Sequence, residues 1–224
     1  MHFEVPKSKF ASVREFAGEY LMIVVSIGTA LGLEHAVQTM HHRHLAEEAA
    51  VRMEAEIRYN VAEIEKIGAH NLAKGLELEK QRNRLIKDIL AKTPDKIALE
   101  HFTTDAKEEL HLSLQWPSLK HEAWDVAVAN QSASWMAPET LQRYSSAYAA
   151  VHDLQASTTT SLAFLSGPQM IKTITDFQLG SVAPQELMYT INQMIGSYEV
   201  VNGMIRDVKV ELKKALPPQP TGKA

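Results

Sequence analysis

Residues 20–33 read YLMIVVSIGTALGL, an unbroken apolar run closed by Glu19 on one side and Glu34 on the other. Nothing later in the chain matches it. A run of this kind is buried in a core, buried in a bilayer, or removed as a signal. Fourteen residues rise only about 21 Å as a helix, against a hydrocarbon core of about 30 Å, so length alone leaves all three open. Phe16, Ala17, Ala36 and Val37 prolong the apolar character, and residues 16–37 would cover about 33 Å. Glu19 and Glu34 then fall near the two interfaces, where a carboxylate reaches headgroups and water at modest cost. Thr29-Ala30-Leu31-Gly32 fits a signal-peptidase site poorly. The run is read as a single membrane-spanning helix, with a buried soluble helix and a cleaved signal as the alternatives.

The flanks set an orientation. Lys7, Lys9 and Arg14 precede the run, and Arg43 and Arg52 are the first basic residues after it apart from histidine. The bias places the N-terminus in the cytoplasm and the rest of the chain outside, in a periplasm if the source has one. The expected organisation is a cytoplasmic tail (1–15), a transmembrane helix (16–37), a helical domain (38–216) and a disordered tail (217–224). Aromatic residues at only 7% suit an all-helical chain, and the absence of cysteine excludes disulfides, thiolate metal sites and cysteine nucleophiles. A net charge of −4 provides no basic field for nucleic acid.

After the run, residues 41–90 contain no proline and many charges. Met53, Ile57, Ile64 and Ile67 recur at helical spacing with Glu47, Glu54, Glu56, Glu63 and Glu65 opposite. This is a long amphipathic helix, continuous with the span or broken near Gly68, and it ends at Pro94. Residues 95–102 read as a short helix. Residues 103–114 alternate in a way that suits a strand, but Glu108 and Glu109 favour helix. Ser118 offers an N-cap for a helix to about Asn130, and Pro138 opens another to about Leu154, with Leu141, Tyr144, Tyr148 and Val151 as its apolar face. Beyond the polar cluster 157–160 and the break at Gly167-Pro168, a short helix carries Met170, Ile171, Ile174 and Phe177. Pro184 opens the last helix. Its stripe of Leu187, Ile191, Met194, Tyr198, Val201, Ile205, Val208 and Leu212 alternates steps of four and three, the spacing of a heptad seam. Such a seam needs a partner of similar length; the long helix is the one other segment of the chain that supplies it, and the competing partner is the same helix of a second copy. The fold class expected is all-α: a membrane-spanning helix continuing into a long helix, then an extracytoplasmic helical bundle.

Gly18, Glu19, Ile23, Val24, Val25, Gly28, Ala30 and Leu31 form a Gly-Glu pair entering a short Val/Ile-rich span with an internal glycine. In this the chain resembles a group of uncharacterised bacterial single-pass membrane proteins, in which a long charged helix follows the span and helices carrying a Trp and a Tyr come later, similar to Trp124 and Tyr144 here. The chain departs from that pattern after the span, where His35, Ala36 and Val37 replace Asn-Asn-Trp. The resemblance implies topology and no chemistry.

Titratable residues are densest from His35 to Glu48. On a helix His41, His44 and Glu48 share a face at i, i+3 and i+7, within reach of one Zn²⁺ or Cu²⁺; the plainer reading is a wet juxtamembrane segment, and a third is pH sensing. His121, Glu122, Trp124 and Asp125 fail the zincin pattern, which needs histidine where Asp125 stands. No nucleophile elbow, phosphate loop or dinucleotide fingerprint occurs. Trp116, Trp124 and Trp135 read as core or interface anchors, and Lys80, Arg82, Arg84 and Lys87 as a solvated basic face. Within the span, Gly28-x-x-x-Gly32 permits close helix approach, and Glu19, Ser26 and Ala30 lie on a second stripe. The expectation is a non-enzymatic inner-membrane protein without cofactor, acting by protein interaction as scaffold, assembly factor or sensor. Its partners would be the bilayer and either a second copy or another membrane protein. The alternative is a soluble or secreted metal-binding helical protein using the His35 to Glu48 region.

Overall fold

The computed structural model describes residues 9–105, 113–165 and 167–217, and within them every regular element is helical. α1, Lys9–Leu90, is one helix of 82 residues, about 123 Å long. No break occurs at Gly68. At Gly75 a Cβ would lie 3.5 Å from that of Tyr198, so the glycine faces the helix packed beside it. α1 has two regimes. Every residue from Phe16 to His41 is exposed, Leu21 at 64% and Leu33 at 65%. From Ala46 onward one stripe is buried: Ala49, Met53, Ile57, Asn60, Ile64, Ile67, Asn71, Leu78 and Leu85. The spacing of three and four holds across the two asparagines.

α6, Pro184–Ala215, lies antiparallel along this stripe. Glu65 meets Lys209 and Lys213 at 3.2 and 3.0 Å, Gly75 faces Tyr198, and Arg82 reaches Asn192. All eight seam residues from Leu187 to Leu212 are buried, so the heptad pattern finds its partner within the chain. α4, Pro138–Leu165, adds Tyr144, Ala147, Tyr148, Val151 and Leu154 to the cluster formed by Met53–Ile67 of α1 and Val201–Leu212 of α6. At the far end α2 (Asp95–Asp105) and α5 (Pro168–Gln178) close a second cluster around Leu85, Leu187 and Ile191, where Phe102 meets Phe177 edge to face at 5.6 Å. α3, Glu122–Ala129, and a 3-10 turn, Ser132–Trp135, lie against α1 on the side nearer the apolar run.

Three expectations are corrected. The helix read from Ser118 begins only at Glu122; residues 113–120 carry no regular structure, because side chains of α1 claim their backbone groups. Residues 103–105 end α2, and residues 113 and 114 are not helical; the segment 106–112 between them lies outside the described residues. α4 runs past Leu154 and through the Ser/Thr cluster, since Ser157 and Thr158 turn their hydroxyls back to the carbonyls of Asp153 and Leu154, at 2.8 and 3.0 Å, and leave the helix intact. The tail expected at 217–224 lies outside the described residues except for Pro217, as do residues 1–8.

Candidate functional site

Residues 113–120 form a strap held by asparagines. Asn71 donates through Nδ2 to the Gln115 carbonyl (2.8 Å) and accepts from the Gln115 N–H (3.0 Å). Asn60 repeats the pattern with both backbone groups of Lys120, each at 2.8 Å. Eleven residues of helix and five of extended chain each span about 16.5 Å. The spacing of the asparagines on α1 therefore matches an extended strap running antiparallel to it. Gln155 of α4 donates to the Leu119 carbonyl at 3.0 Å. One turn before Asn60, the Glu56 carboxylate accepts from the Ala123 N–H at 3.1 Å, capping α3 from outside in place of a side chain at its own N-cap.

Glu56, with Glu54 beside it, also anchors α4. Tyr148 donates to Glu56 at 2.7 Å and Tyr144 to Glu54 at 3.3 Å. Burial, reinforced by the Glu54 charge, pushes the Tyr144 hydroxyl up to about 12; burial and the bond to Glu56 raise Tyr148 as well. An unfolded tyrosine ionises near 10, so the fold loses stability where the unfolded chain sheds its protons first. Stability contributed by these phenols is complete below pH ~10 and falls as pH rises toward ~12. The melting temperature of the wild type is expected to drop over that window, and Tyr144→Phe to make the drop shallower. A flat profile would remove the phenols from the stability account.

Above the strap's end three side chains converge: His121 before α3, Asp125 in α3 and His152 in α4. Their potential metal-ligating atoms all lie within 4.8 Å of one another. His121 Nδ1 stands 2.7 Å from Asp125 Oδ2, and the two imidazoles are 4.9 Å apart at their centroids. His121 occupies the N-cap position yet makes no cap bond; its ring turns to Asp125 instead. The N-cap of α3 is thus freed by Glu56, which takes over the capping. Next to it Glu122 has its carboxyl held below the usual range, chiefly by its own backbone N–H.

The residues singled out from the sequence lie elsewhere. His41, His44 and Glu48 sit on the exposed flank of α1, with Glu48 paired to Arg52. His42, beside them, stacks face to face on Trp135, centroids 3.7 Å apart and planes 6° from parallel. A cleft of about 470 Å³ opens there, bordered by His35, Gln38, Thr39, His42, Arg43 and Trp135. Glu19, Ser26, Gly28, Ala30 and Gly32 are all exposed, and a Cβ at Gly28 or Gly32 would meet nothing within 4 Å. The Ser26 and Thr29 hydroxyls bond the carbonyls four residues back, each at 2.8 Å, so the polar groups of this stretch are satisfied within the helix. Trp116 and Trp124 pack against the core, while Trp135 keeps 49% of its surface exposed.

The sequence reading passed over Asn60, Asn71 and His152. The asparagines did leave a signal. They occupy positions of the α1 stripe between Ile57 and Ile64 and after Ile67, where an amide is buried only with a partner. His152 left none, since its neighbours in the site come from another element. No family model matches the chain, and neither a curated protein nor a solved structure matches it.

Proposed function

We propose that this is a single-pass membrane protein whose α1 crosses the bilayer with residues 16–37, N-terminus cytoplasmic, and carries a helical domain outside that acts by protein interaction rather than catalysis. The observation behind this reading is the apolar stretch of α1: the helix is long and apolar enough to span a membrane, and none of that stretch is buried. So much apolar surface cannot remain in water. Below it the same helix becomes the spine of the domain, so the span and the domain are mechanically one rod. Trp135, stacked on His42 some five residues beyond the proposed span, would in this reading lie at the level of the interfacial aromatics of membrane proteins. The Gly28/Gly32 face offers close approach to a second copy or to another span. The resemblance to bacterial single-pass proteins points the same way.

Fractionation tests the anchor. The wild type is expected in the carbonate-washed membrane pellet. Val24→Lys with Val25→Lys is expected to release it, since each central lysine adds about 3 kcal/mol to insertion. A wild type that is soluble and monomeric without detergent would overturn the topology. Crosslinking and mild-detergent purification would identify the partner, a second copy giving a disulfide-trappable pair at Gly28→Cys.

A further inference from the structure

We infer that His121, Asp125 and His152 form a binding site for a divalent first-row transition ion, linking the start of α3 to α4 in the helical domain. This goes beyond the membrane reading and does not depend on it. Two imidazoles and one carboxylate are the donor set of borderline ions such as Zn²⁺, Co²⁺ and Ni²⁺, and a poor one for Mg²⁺ or Ca²⁺, which take oxygen. Tetrahedral ligands about 2.1 Å from a zinc ion stand roughly 3.4 Å apart. The atoms here are within 4.8 Å of one another, and the closest pair is at 2.7 Å. Binding therefore asks the His121–Asp125 hydrogen bond to open slightly and His152 to swing inward, both by rotation of side chains that reach solvent.

The backbone beneath the site is held unusually well for a segment outside any helix. Lys120 is tied through both of its backbone groups to Asn60, Leu119 to Gln155 and Ala123 to Glu56. His121 lies between these ties. Gln155, which fixes the strap to α4, stands one helical turn from His152. The two ligand-bearing elements are thus joined beside the site before any ion arrives, which is the support that precise ligand placement requires. Three protein ligands leave a fourth position open to water or to a donor from a partner. The ion would add a second link between the end of the strap and α4, beside the Gln155–Leu119 bond, and stabilise the folded chain by mass action.

The test uses the full-length protein in detergent micelles, purified without a histidine tag and stripped with chelator. Titration with Zn²⁺ by calorimetry and with Co²⁺ by visible absorption is expected to show one saturable equivalent with a tetrahedral Co²⁺ spectrum. His121→Ala, Asp125→Ala and His152→Ala should each weaken binding by at least about tenfold, while His41→Ala with His44→Ala leaves it unchanged. Asp125 and His152 are exposed, so their variants should keep the wild-type melting curve in chelator, which separates lost ligation from lost fold. Absence of saturable binding, wild-type affinity in His152→Ala, or loss confined to the His41/His44 variant would each overturn the site.

Discussion

Ile191→Asp combined with Ile205→Asp is expected to abolish cooperative melting and most of the helical signal of the helical domain, at any protein concentration. Ile191 is 0% exposed and Ile205 2%, in the two core clusters that α6 shares with α1. A carboxylate at either position is buried without a cation, at a cost on the order of 4 kcal/mol each. Domain stabilities are about 5–15 kcal/mol, so the pair removes most or all of it. The alternative for a heptad seam is that it pairs with the same helix of a second copy. In that case the monomer would stay folded and only association would change. Val210→Asp on the exposed side of α6 (47% exposed) serves as the control and should shift stability by less than about 0.5 kcal/mol. A folded, monomeric double mutant in detergent would show that α1 is not the partner of this seam.

How much of this was legible in the sequence follows from which physical signal each feature carries. The α6 seam is legible because eight apolar residues at steps of three and four admit one geometry. α1 is legible as its partner within the chain by length, whereas the antiparallel orientation, and the choice of α1 over a second copy of α6, come from the fold. The continuity of α1 through Gly68 was left open: a glycine costs a helix about 1 kcal/mol in propensity, and the packing that overrides it is not local. Residues 118–121 were misread for the reverse reason. Ser118 is a good local N-cap, but the Leu119 carbonyl and both backbone groups of Lys120 are already engaged by Gln155 and Asn60, which lie 36 and 60 residues away in sequence from the groups they bind. Local capping rules cannot see a competitor on another helix. The stretch from His35 to His44 stands out by density, whereas convergence is a property of the fold: His121 and His152 meet because α3 and α4 flank α1.

The second large effect concerns the asparagine clamps. In the wild type the amides of Gln115 and Lys120 are expected to exchange slowly with solvent although they belong to no helix or sheet, because each is bonded to a buried side chain. Asn60 and Asn71 are both 0% exposed. Replacing either by leucine keeps the volume and removes two hydrogen bonds, leaving a backbone donor and acceptor with no partner at the α1 surface. Each orphaned group costs about 1–3 kcal/mol unless the strap peels away to reach water. Peeling has its own cost, since Leu119 is buried and Trp116 packs on the core. Each single variant should therefore lose about 2–4 kcal/mol, and Asn60→Leu with Asn71→Leu enough to free the strap and expose it to protease near residues 113–120. Aspartate is no substitute: it keeps the acceptor, loses the donor and faces a carbonyl with a charge. The two clamps differ in reach. Asn60 holds the residue before His121, so Asn60→Leu should also weaken Zn²⁺ binding at the His121–Asp125–His152 site, while Asn71→Leu, five strap residues away, should not. Unprotected amides at Gln115 and Lys120 in the wild type would show that the strap is not clamped in solution.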